Sequence, residues 1–404
     1  MEREVSIERA HELIASRVVR IADEEISIST AAGRTLSRDL YCQQNMPAWP
    51  QSAVDGWALA QGGEIGSRYQ ISQDKVLHRN QAYRVLTGGI LPEGTAAVVP
   101  EEKTDLKGDL ISLQERVKSG SNIKQVGEDF ELGELLLSAY TPLDWGTIAL
   151  LAAAGVHPIP VVKRPRVAVM AMAANLVPYA AVPQPGFTRD CNTPLLTNLV
   201  SEEGGMVIEE VQDNCPERLR ELAKKADIVL ITGGTYNQNS ADAWNLMLAI
   251  GAEILYWGVN IQPGSHHGCG VYNGCLLLAL SGNPGACAVG YHLFAAPALR
   301  LLQGISPWPP AVKARCVNNF PKPANTRRLV RGQAWTTGRG WEVFILPGQK
   351  PSMIRSLLHC NALIDLPAGS SPLNVGDMVS IILLDRNQTL LPAEQDEFKV
   401  CRVK

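Results

Sequence analysis

The stretch PRVAVMAMA (residues 165–173) decides the fold, because its apolar side chains run on without the polar alternation of a half-exposed strand. Such a run is typical of a strand that is buried on both faces of a sheet. Helix-like and strand-like segments then alternate along the chain: TPLLTNLVSEEGG, MVIEEVQD, CPERLRELAKKA, DIVLITGGT, NLMLAIGAEILYWGV and CLLLALSGNPGACAVGYHLFAAPALRLLQG. This alternation predicts a doubly wound α/β domain with a parallel sheet from Pro165 to Gly304.

The flanking sequence predicts other kinds of structure. Residues Ile7–Asp23 have the apolar spacing of a helix, and a second helix follows a cap at Thr141 or Asp144 and ends at Gly155. Between about residues 41 and 137, short strand-like segments and glycine turns predict a β-rich insert. The strand-and-turn pattern after the rigid linker SPWPP predicts a small C-terminal β domain.

Length and composition limit the class of protein. The 404 residues suffice for two to four domains, and a net charge of -3 provides no basic surface for non-specific nucleic-acid binding. No run of about 18 apolar residues predicts a membrane span, and MEREVSIERA lacks the apolar core of a signal peptide. We therefore expect a cytoplasmic protein that binds neither nucleic acid nor membrane.

The nine cysteines include no CxxC pair, which favours buried thiols. In SHHGCG (residues 265–270), His266, His267 and Cys269 lie close together along the chain. A metal site at this stretch needs a third or fourth ligand of suitable geometry. A turn with incidental ligand types is the alternative, and both interpretations stay open.

Two glycine turns follow predicted strands at the carboxyl edge of the sheet, where doubly wound domains bind ligands. They are Thr232-Gly233-Gly234-Thr235 and Ser281-Gly282-Asn283-Pro284-Gly285. Bare backbone amides at a helix start form a site for phosphate or another oxyanion. Neither turn has the spacing of a Walker A or GxGxxG loop, so ordinary turns are the alternative.

Asp55 is the acid with the most constrained sequence surroundings. In MPAWPQSAVDGWALA (residues 46–60), two prolines and Trp49 precede it, and Gly56 and Trp57 follow it. The chemistry of an Asp-Gly turn is one explanation, and a functional carboxylate is the other. The remaining candidate acids are open to the same two explanations: Asp129, Asp190, Asp213, Asp227 and Asp242.

Taken in order, these motifs resemble those of the MoeA family, the molybdopterin molybdenumtransferases, which are similar to the C-terminal domain of gephyrin. NMPAWPQSAVDGWALA resembles the family's S-A-M-D-G-Y segment, YRVLTGGILPEGTAAVVPEE its R-I-x-T-G segment, and IKQVGEDFELGELLL its R-x-x-G-E-D segment. TRDCNTPLL resembles its Y-D-x-N stretch. DIVLITGGT, VNIQPG and LSGNPGA resemble its sheet-edge loops, and NALIDLPAG resembles its last domain. The chain is identified as a divergent member.

The resemblance implies an α/β multidomain protein with four domains. These are a helical and extended linker domain (1–38 and 138–164), a β-rich insert domain (39–137), a MogA-like doubly wound α/β domain (165–308) and a C-terminal β domain (309–404). It also implies an L-shaped homodimer whose site lies between the α/β domain of one subunit and the insert of the other. Asp55 then faces the site of the other subunit.

The resemblance also implies roles for matching residues. The implied catalytic acids are Asp55, Asp213 and Asp242, with Asp242 the one candidate metal ligand. The implied substrate-binding residues are Ser52, Thr87, Asp129, Asp190, Asn192, Thr232, Gly233, Gly234, Pro263, Gly264, Gly282, Asn283, Pro284, Arg331 and Ser352. The implied reaction uses adenylylated molybdopterin and molybdate as substrates, with Mg²⁺ screening the phosphates, and releases AMP. A MogA-type adenylyltransferase is the implied partner that supplies the nucleotide.

Departures from the family pattern fall within this implied site. They are Ala174 and Asn175 in place of two acids, Gln262 and Ser265 in place of two lysines, and Ser281 in place of a proline. Asp242 lies one residue late. Losing two lysine contacts to an oxyanion costs on the order of 3–6 kcal/mol. The candidates to supply the missing charge are His266, His267, Lys350 and Arg355.

Three functions are compatible with this sequence. The first is a divergent molybdenum insertase that acts on adenylylated molybdopterin. The second is a non-catalytic protein that holds or carries molybdopterin. The third is a scaffolding dimer, and the fold alone does not decide among them because function depends on the site.

Overall fold

The computed structural model describes residues 1–172, 175–236, 242–308 and 311–384. These residues belong to two compact units. The first contains Met1–Glu24, Gly33–Thr35 and the chain from Val162 onward, and the second contains Glu25–Ala32 and Leu36–Val161. The finer division into four domains stays a prediction.

The N-terminal segment has three elements: β1 (Glu2–Val5), α1 (Ile7–Ala15) and β2 (Asp23–Ile26). The Ser6 hydroxyl caps α1 by accepting a hydrogen bond from the Arg9 backbone N–H at 3.1 Å. The predicted helix begins at the right residue but ends well before Asp23. Val18 and Ile21 pack against the core from non-helical chain, so apolar spacing alone extended the predicted helix too far.

Short strands build most of the second unit, as predicted. They are β3 (Leu40–Tyr41), β4 (Gln51–Ser52), β5 (Gly56–Leu59), β6 (Arg68–Ile71), β7 (Gln81–Val85), β8 (Ala97–Pro100), β9 (Thr104–Lys107), β10 (Leu110–Leu113), β11 (Ile123–Lys124) and β12 (Leu135–Leu137). Six of them form a sheet in the order β8-β5-β7-β6-β10-β9. Trp57, Leu59, Tyr69 and Ile111 form the core on one face of this sheet.

The second predicted helix is also present. It is α2 (Trp145–Ala153), and β13 (Ile159–Val162) follows it. Asp144 and Thr147 form a capping box, in which the Asp144 carboxylate accepts the Thr147 N–H at 2.8 Å. The helix ends before Gly155, whose φ of +70° is a backbone conformation that favours glycine.

The alternating segments fold into an α/β sandwich. Its elements are β14 (Arg166–Ala171), β15 (Leu176–Val177), β16 (Thr188–Arg189), α3 (Asn192–Glu202), β17 (Met206–Gln212), α4 (Pro216–Lys225), β18 (Ile228–Thr232), α5 (Asp242–Ala249), β19 (Glu253–Val259), β20 (Ile261–Gln262), β21 (Gly268–Tyr272), β22 (Cys275–Leu280), α6 (Pro284–Gly290) and α7 (Ala296–Leu302). One π-helical turn, Tyr291–Ala295, joins the last two helices.

The central sheet has seven strands in the order β1-β19-β21-β22-β18-β14-β17. Its strands run parallel except β21, which is antiparallel to both neighbours. The sheet predicted between residues 165 and 304 is therefore mainly parallel but contains one antiparallel strand. It also extends beyond this range, since β1 adds an edge strand from the N-terminus. A four-residue strand such as β1, bonded along one side, carries no local signal of its distant partner.

Both faces of this sheet are covered. Val167 and Val169 point towards α1, α3 and α7, and Ala168 and Met170 point towards α4 and α5. The prediction that PRVAVMAMA includes a strand buried on both faces is confirmed. Among the described residues, one helical stretch, Pro284–Leu302, has the length and hydropathy of a membrane span, and 89% of it is buried inside the protein, as in a core helix.

The C-terminal strands close into a barrel. They are β23 (Ala311–Cys316), β24 (Arg327–Thr337), β25 (Gly340–Ile345), β26 (Ala362–Leu366) and β27 (Met378–Leu383). Their order is β24-β25-β23-β27-β26, and β26 pairs back with β24. β20 of the α/β region adds to β24 in parallel, with Gln262 opposite Arg328.

Candidate functional site

Strand pairing in the second unit brings Asp55 and Thr87 together. Gly56 at the start of β5 pairs with Val85 at the end of β7, so the residues just beyond the ladder lie side by side. The Asp55 Oδ1 atom accepts two hydrogen bonds from Thr87, one from its backbone N–H at 2.6 Å and one from its hydroxyl at 2.8 Å. Two residues that the sequence assigned to one site are therefore in direct contact.

These hydrogen bonds favour the ionised form of the exposed Asp55 carboxylate. The Thr87 backbone N–H, followed by its hydroxyl, lowers the pKa of Asp55, and the charge of Arg84 lowers it further. The Oδ2 atom accepts no hydrogen bond from the described residues. An ionised oxygen of this kind is free to bind a cation or a donor group of a ligand.

Ser52 and Asp129 have different surroundings in the same unit. Ser52 is fully buried, and its hydroxyl donates to the Val54 carbonyl at 2.5 Å, which shapes the turn that leads to Asp55. Asp129 is exposed in an open cleft of about 620 Å³, where its backbone N–H donates to the Met46 carbonyl at 2.9 Å. Substrate binding by either residue stays a prediction.

Several predicted binding residues form one network at the carboxyl edge of the central sheet. The Asn192 Nδ2 group donates to Thr232 Oγ1 at 2.8 Å and to the Gly282 carbonyl at 2.9 Å. Asp190 Oδ1 accepts the backbone N–H groups of Asn192 and Thr193 at 3.0 Å each, and its Oδ2 accepts the Thr193 hydroxyl at 2.6 Å. This network joins the start of α3 to both glycine turns.

The two glycine turns also pack directly on one another. A Cβ on Gly282 would lie 3.2 Å from the Gly233 Cα, and a Cβ on Gly233 would lie 2.6 Å from the Met172 carbonyl oxygen. Gly234, with a φ of +65°, accepts a hydrogen bond from the first turn of α5, where Asp242 is the first residue. The packing and the positive φ require glycine at 233, and a side chain at 282 would displace Gly233 slightly. Anion binding by these turns stays a prediction.

Asn283, Pro284 and Asp213 lie at helix starts. Asn283 precedes α6, whose first residue is Pro284, and its backbone N–H donates to the Ser281 hydroxyl at 3.2 Å. The Asp213 Oδ1 atom accepts the backbone N–H groups of the next two residues at 2.7 and 2.9 Å, just before α4. Local turn chemistry accounts for these contacts of Asp213, and its catalytic role stays a prediction.

A pocket of about 160 Å³ lies between the Gln262–Pro263 loop and the barrel. Lys322, Arg328 and Lys350 line it, and no acidic side chain is among its lining residues. We call this feature the cation pocket. Three positive charges without an acid at one small concavity favour an anionic ligand.

Arg328 is the fixed cation of this pocket. Its Nη2 donates to Gln262 Oε1 at 2.6 Å, and its guanidinium carbon lies 5.8 Å from the centre of the Phe320 ring. Its Nε is buried and has no hydrogen-bond partner among the described residues. A planar guanidinium in the lining of a pocket is suited to an oxyanion.

Arg331 lies in the interior and is 1% exposed. Its Nε donates to the Ser356 hydroxyl at 2.6 Å, its Nη1 to the Gly285 carbonyl at 3.2 Å, and its Nη2 to the carbonyls of Gly348 and Lys350 at 3.2 Å each. The guanidinium therefore joins the start of α6 to the turn that carries Lys350. Direct substrate binding by Arg331 stays a prediction.

The other sequence candidates near this region lie at its margin. Gly264, with a φ of +99°, and the exposed Ser265 continue the loop after Pro263. Ser352 is exposed on the turn after Lys350, and Arg355 is exposed outside the pocket lining. Of the four residues predicted to replace the missing charge, the structure places Lys350 at the pocket.

The SHHGCG stretch enters β21 and is largely buried. Burial raises the pKa of the Cys269 thiol, which disfavours the thiolate that a metal requires. No group of three or more His, Cys, Asp or Glu side chains in the described ranges is arranged to hold a metal ion. Asn175 donates to the Gly186 carbonyl at 3.2 Å, whereas Ala174 lies outside the described residues.

Acidification is expected to destabilise the fold through His267. Burial, with a smaller contribution from His266, lowers the pKa of His267 to about 4, from 6.5 in an unfolded chain. The unfolded state therefore binds more protons between these values, so stability is complete above about pH 6.5 and falls towards pH 4. Lowering the pH from 7 to 5 removes about 2 kcal/mol through this residue.

Urea unfolding of the native chain and of His267→Leu at both pH values measures this contribution. The variant cannot protonate at this position but retains all other titrating groups, including His292. We expect its pH dependence to be smaller by the stated amount. Equal pH dependence in the two proteins contradicts the assignment to His267.

Lys322 and Arg328 are functional candidates that sequence reasoning missed. Arg328 reaches the pocket because β20 pairs with β24, two strands separated by more than 60 residues. The only sequence signal is the basic pair at 327 and 328 ahead of LVRGQ. Nothing local distinguishes Arg328, which faces the pocket, from Arg327, which binds Asp365 at 2.6 Å.

Family models cover most of the chain. The model of the MoeA N-terminal region (domains I and II) matches residues 5–155, and the model of the MoeA C-terminal region (domain IV) matches residues 313–384. These two models together span more than half of the chain. A third model, described as a probable molybdopterin binding domain, matches residues 168–301.

Individual proteins are similar along nearly their whole length. The molybdopterin molybdenumtransferase of Staphylococcus epidermidis is 29% identical over 403 residues, which cover 95% of this chain and 96% of that protein. The enzyme of the same name from Staphylococcus aureus is 29% identical over 380 residues, 89% of this chain and 91% of that protein.

Solved structures establish the fold. Two structures of the molybdopterin biosynthesis MoeA protein from Pyrococcus horikoshii superpose with TM-scores of 0.79 and 0.78 at 23% and 24% identity, covering 95% and 94% of this chain and 99% and 100% of the respective structures. The fold class predicted from the sequence is confirmed. The three family models, the full-length relatives and the shared fold agree: the chain belongs to the MoeA family.

Proposed function

We propose that this chain is a molybdopterin molybdenumtransferase, which transfers molybdenum from molybdate to adenylylated molybdopterin and releases AMP. Its membership of the MoeA family supports this proposal, as do full-length relatives that carry the enzyme's name. The observation that carries the proposal is the cation pocket. It provides positive charge next to the loop in which Gln262 and Ser265 replace two lysines of the family pattern.

The charge in the cation pocket is sufficient for this role. Molybdate is a dianion, and each hydrogen bond to a charged group contributes about 1.5–3 kcal/mol. Arg328, Lys322 and Lys350, which line the pocket, are the candidate donors. Two such contacts offset the loss of about 3–6 kcal/mol that the absent lysines imply.

Asp55 is the carboxylate of the proposed site. Mg²⁺ usually binds proteins through one or two carboxylates together with substrate phosphates. The ionised Asp55, with its unpaired Oδ2, fits this mode, so Asp55 would hold a magnesium ion together with those phosphates. When bound, the ion neutralises charge on the pyrophosphate group as AMP leaves.

The network at the sheet edge orients the nucleotide in this proposal. Asn192 bonds to Thr232 and Gly282 and so keeps the two glycine turns at a fixed separation. Glycine turns of this kind present backbone N–H donors to phosphate oxygens. Preorganised donors stabilise the charge that develops on the departing phosphate.

The proposal includes a homodimer in which Asp55 of one subunit serves the site of the other. Sedimentation equilibrium measures the dimer. Mixing an inactive Asp55→Asn protein with an inactive cation-pocket variant tests the shared site, because a mixed dimer carries one intact site. Recovery of AMP release on mixing supports the arrangement, and two inactive proteins that stay inactive after subunit exchange contradict it.

An AMP-release assay tests the function itself. The full chain is incubated with adenylylated molybdopterin, Mg²⁺ and molybdate, and a matched reaction omits the molybdate. We expect AMP release that depends on molybdate and a pterin product that contains molybdenum by mass spectrometry. Absence of both products under these conditions contradicts the proposal.

A carrier of the pterin nucleotide is the second candidate function. Asn175 stands where the family has an acid, and its amide is used to hold the Gly186 carbonyl. Binding of adenylylated molybdopterin in a calorimeter, without AMP release, identifies this carrier. Absence of both binding and release leaves the scaffolding dimer.

Removing the charge of the cation pocket is expected to weaken molybdate binding by about 10²- to 10³-fold. The variant combines Lys322→Ala, Arg328→Gln and Lys350→Ala, and calorimetry measures the affinity. Lys103→Ala and Lys313→Ala, which remove lysines outside the pocket, are the matched controls. A triple variant that binds molybdate as tightly as the native chain contradicts the role of the pocket.

A further inference from the structure

His267 occupies a space that two glycines leave open. A Cβ on Gly290, the last residue of α6, would lie 2.5 Å from His267 Nε2 and 2.9 Å from Nδ1. A Cβ on Gly264, in the loop after Pro263, would lie 2.8 Å from His267 Cδ2. The ring also packs edge-on against Phe294 at 5.7 Å between centroids. The imidazole is therefore wedged between the pocket loop and the helix.

The tight fit of the His267 ring is its main contact with the surrounding chain. The residue is 1% exposed. Neither ring nitrogen has a well-aligned hydrogen-bond partner among the described residues, but the backbone of Ala279 and Ala286 lies close enough to oppose part of the pKa shift that burial causes. Burial lowers its pKa to about 4, and the ring is neutral at neutral pH.

The His267 ring lies beside Gly264, the residue that follows the Gln262–Pro263 wall of the cation pocket. The His267 carbonyl accepts the Gly258 N–H at 2.9 Å, and the Ser265 carbonyl accepts the Val259 N–H at 2.9 Å, so the loop is bonded to the end of β19 on one side. On the other side, the ring meets Gly290, where the helix changes to the π-helical turn Tyr291–Ala295. Turns of this type often occur at functional sites.

We propose that His267 is a positioning residue for the cation pocket: its ring holds the Gln262–Pro263 wall against the end of α6. The inference rests on the proposed function, because it assigns a ligand-binding consequence to this wall. His267 touches no substrate in this arrangement. It acts through Gln262, which holds the Arg328 guanidinium.

A double-mutant cycle between His267 and Gly290 tests whether the His267 ring positions this wall. Gly290 has a φ of -64°, so alanine fits the backbone there and, without a clash, stabilises a helix. In the native background, Gly290→Ala must displace the ring, and we expect amide exchange of Ile261–Ser265 to rise and molybdate affinity to fall, each by about tenfold. In the His267→Ala background the same methyl group fills empty space, so its effect reverses sign.

Three further measurements complete the test. Gly146→Ala in α2, where a methyl group meets only Asp144 Oδ1 at 3.5 Å, is the control and leaves both readouts unchanged. His267→Leu retains affinity, because in this proposal the ring acts by filling the space beside Gly264 and Gly290. In the AMP-release assay, Gly290→Ala raises KM for molybdate while kcat is kept.

The outcomes separate this inference from the proposed function. The positioning role of His267 is contradicted if Gly290→Ala changes amide exchange and molybdate affinity equally in the two backgrounds. It is also contradicted if Gly290→Ala has no effect in the native background. A native chain that binds no molybdate overturns the proposed function, and the amide-exchange cycle still decides the role of His267. If Gly290→Ala alone does not fold, His267→Ala decides the matter: it must raise exchange at Ile261–Ser265, and adding Gly290→Ala must lower it again.

Discussion

Replacing Asp55 with asparagine is expected to lower the rate of AMP release at least about a hundredfold while the protein stays folded. The amide keeps an oxygen that can accept the Thr87 N–H, so the turn is preserved. It removes the negative charge that the Thr87 hydrogen bonds stabilise. The rate therefore reports the charge alone, and steady-state AMP release with Mg²⁺ and molybdate measures it.

Two variants in the same unit calibrate this loss. Thr87→Val removes the hydroxyl bond of 2.8 Å but keeps the backbone bond of 2.6 Å, so we expect a decrease of about tenfold or less. Asp109→Asn changes an exposed acid whose carboxylate makes no hydrogen bond to the described residues, and should leave the rate unchanged. An Asp55→Asn protein with the native rate excludes a role for this carboxylate.

Replacing Arg331 with alanine is expected to lower the free energy of unfolding by about 4 kcal/mol. Four protein acceptors lose their donor at once, and three of them are backbone carbonyls around the start of α6 and the Lys350 turn. The side chain is almost completely buried, so no water replaces these contacts without a cavity. Urea unfolding followed by circular dichroism measures the change.

Arg315→Ala is the matched control for this prediction. Arg315 lies on β23 of the same barrel but is exposed, and its side chain makes one hydrogen bond within the described ranges, of 3.4 Å to the Gly376 carbonyl. We expect a change below about 1 kcal/mol. If both arginine variants lose the same stability, the buried network of Arg331 does not have the importance that we assign to it.

Local rules predicted the elements of the fold well. The buried run in PRVAVMAMA, the Asp144 cap and the positive φ of Gly155 all depend on neighbours within a few residues. The pairings of β1 with β19 and of β20 with β24 join residues that are far apart in sequence. No short-range pattern encodes those registers, so they cannot be predicted from the sequence alone.

The residues of the candidate site also differ in whether local sequence patterns indicate them. Asp55 and Thr87 were selected from motifs, and an antiparallel register then placed them in contact. Lys322 and Arg328 were not selected, because their importance arises only when the barrel is laid beside the Gln262–Pro263 loop. Asp213 is the opposite case: a motif indicates a role for it, but the turn before α4 accounts for its hydrogen bonds.

The addition of β20 to β24 means that the α/β domain and the barrel do not come apart cleanly. A cut in the linker near residue 308 would leave the backbone groups of Arg327 and Arg328 without the partners that Ile261 and Gln262 now provide. Unpaired strand edges of this kind recruit other chains. Each half expressed alone would therefore be prone to self-association, and these two domains are better regarded as inherited and folded together than as interchangeable modules.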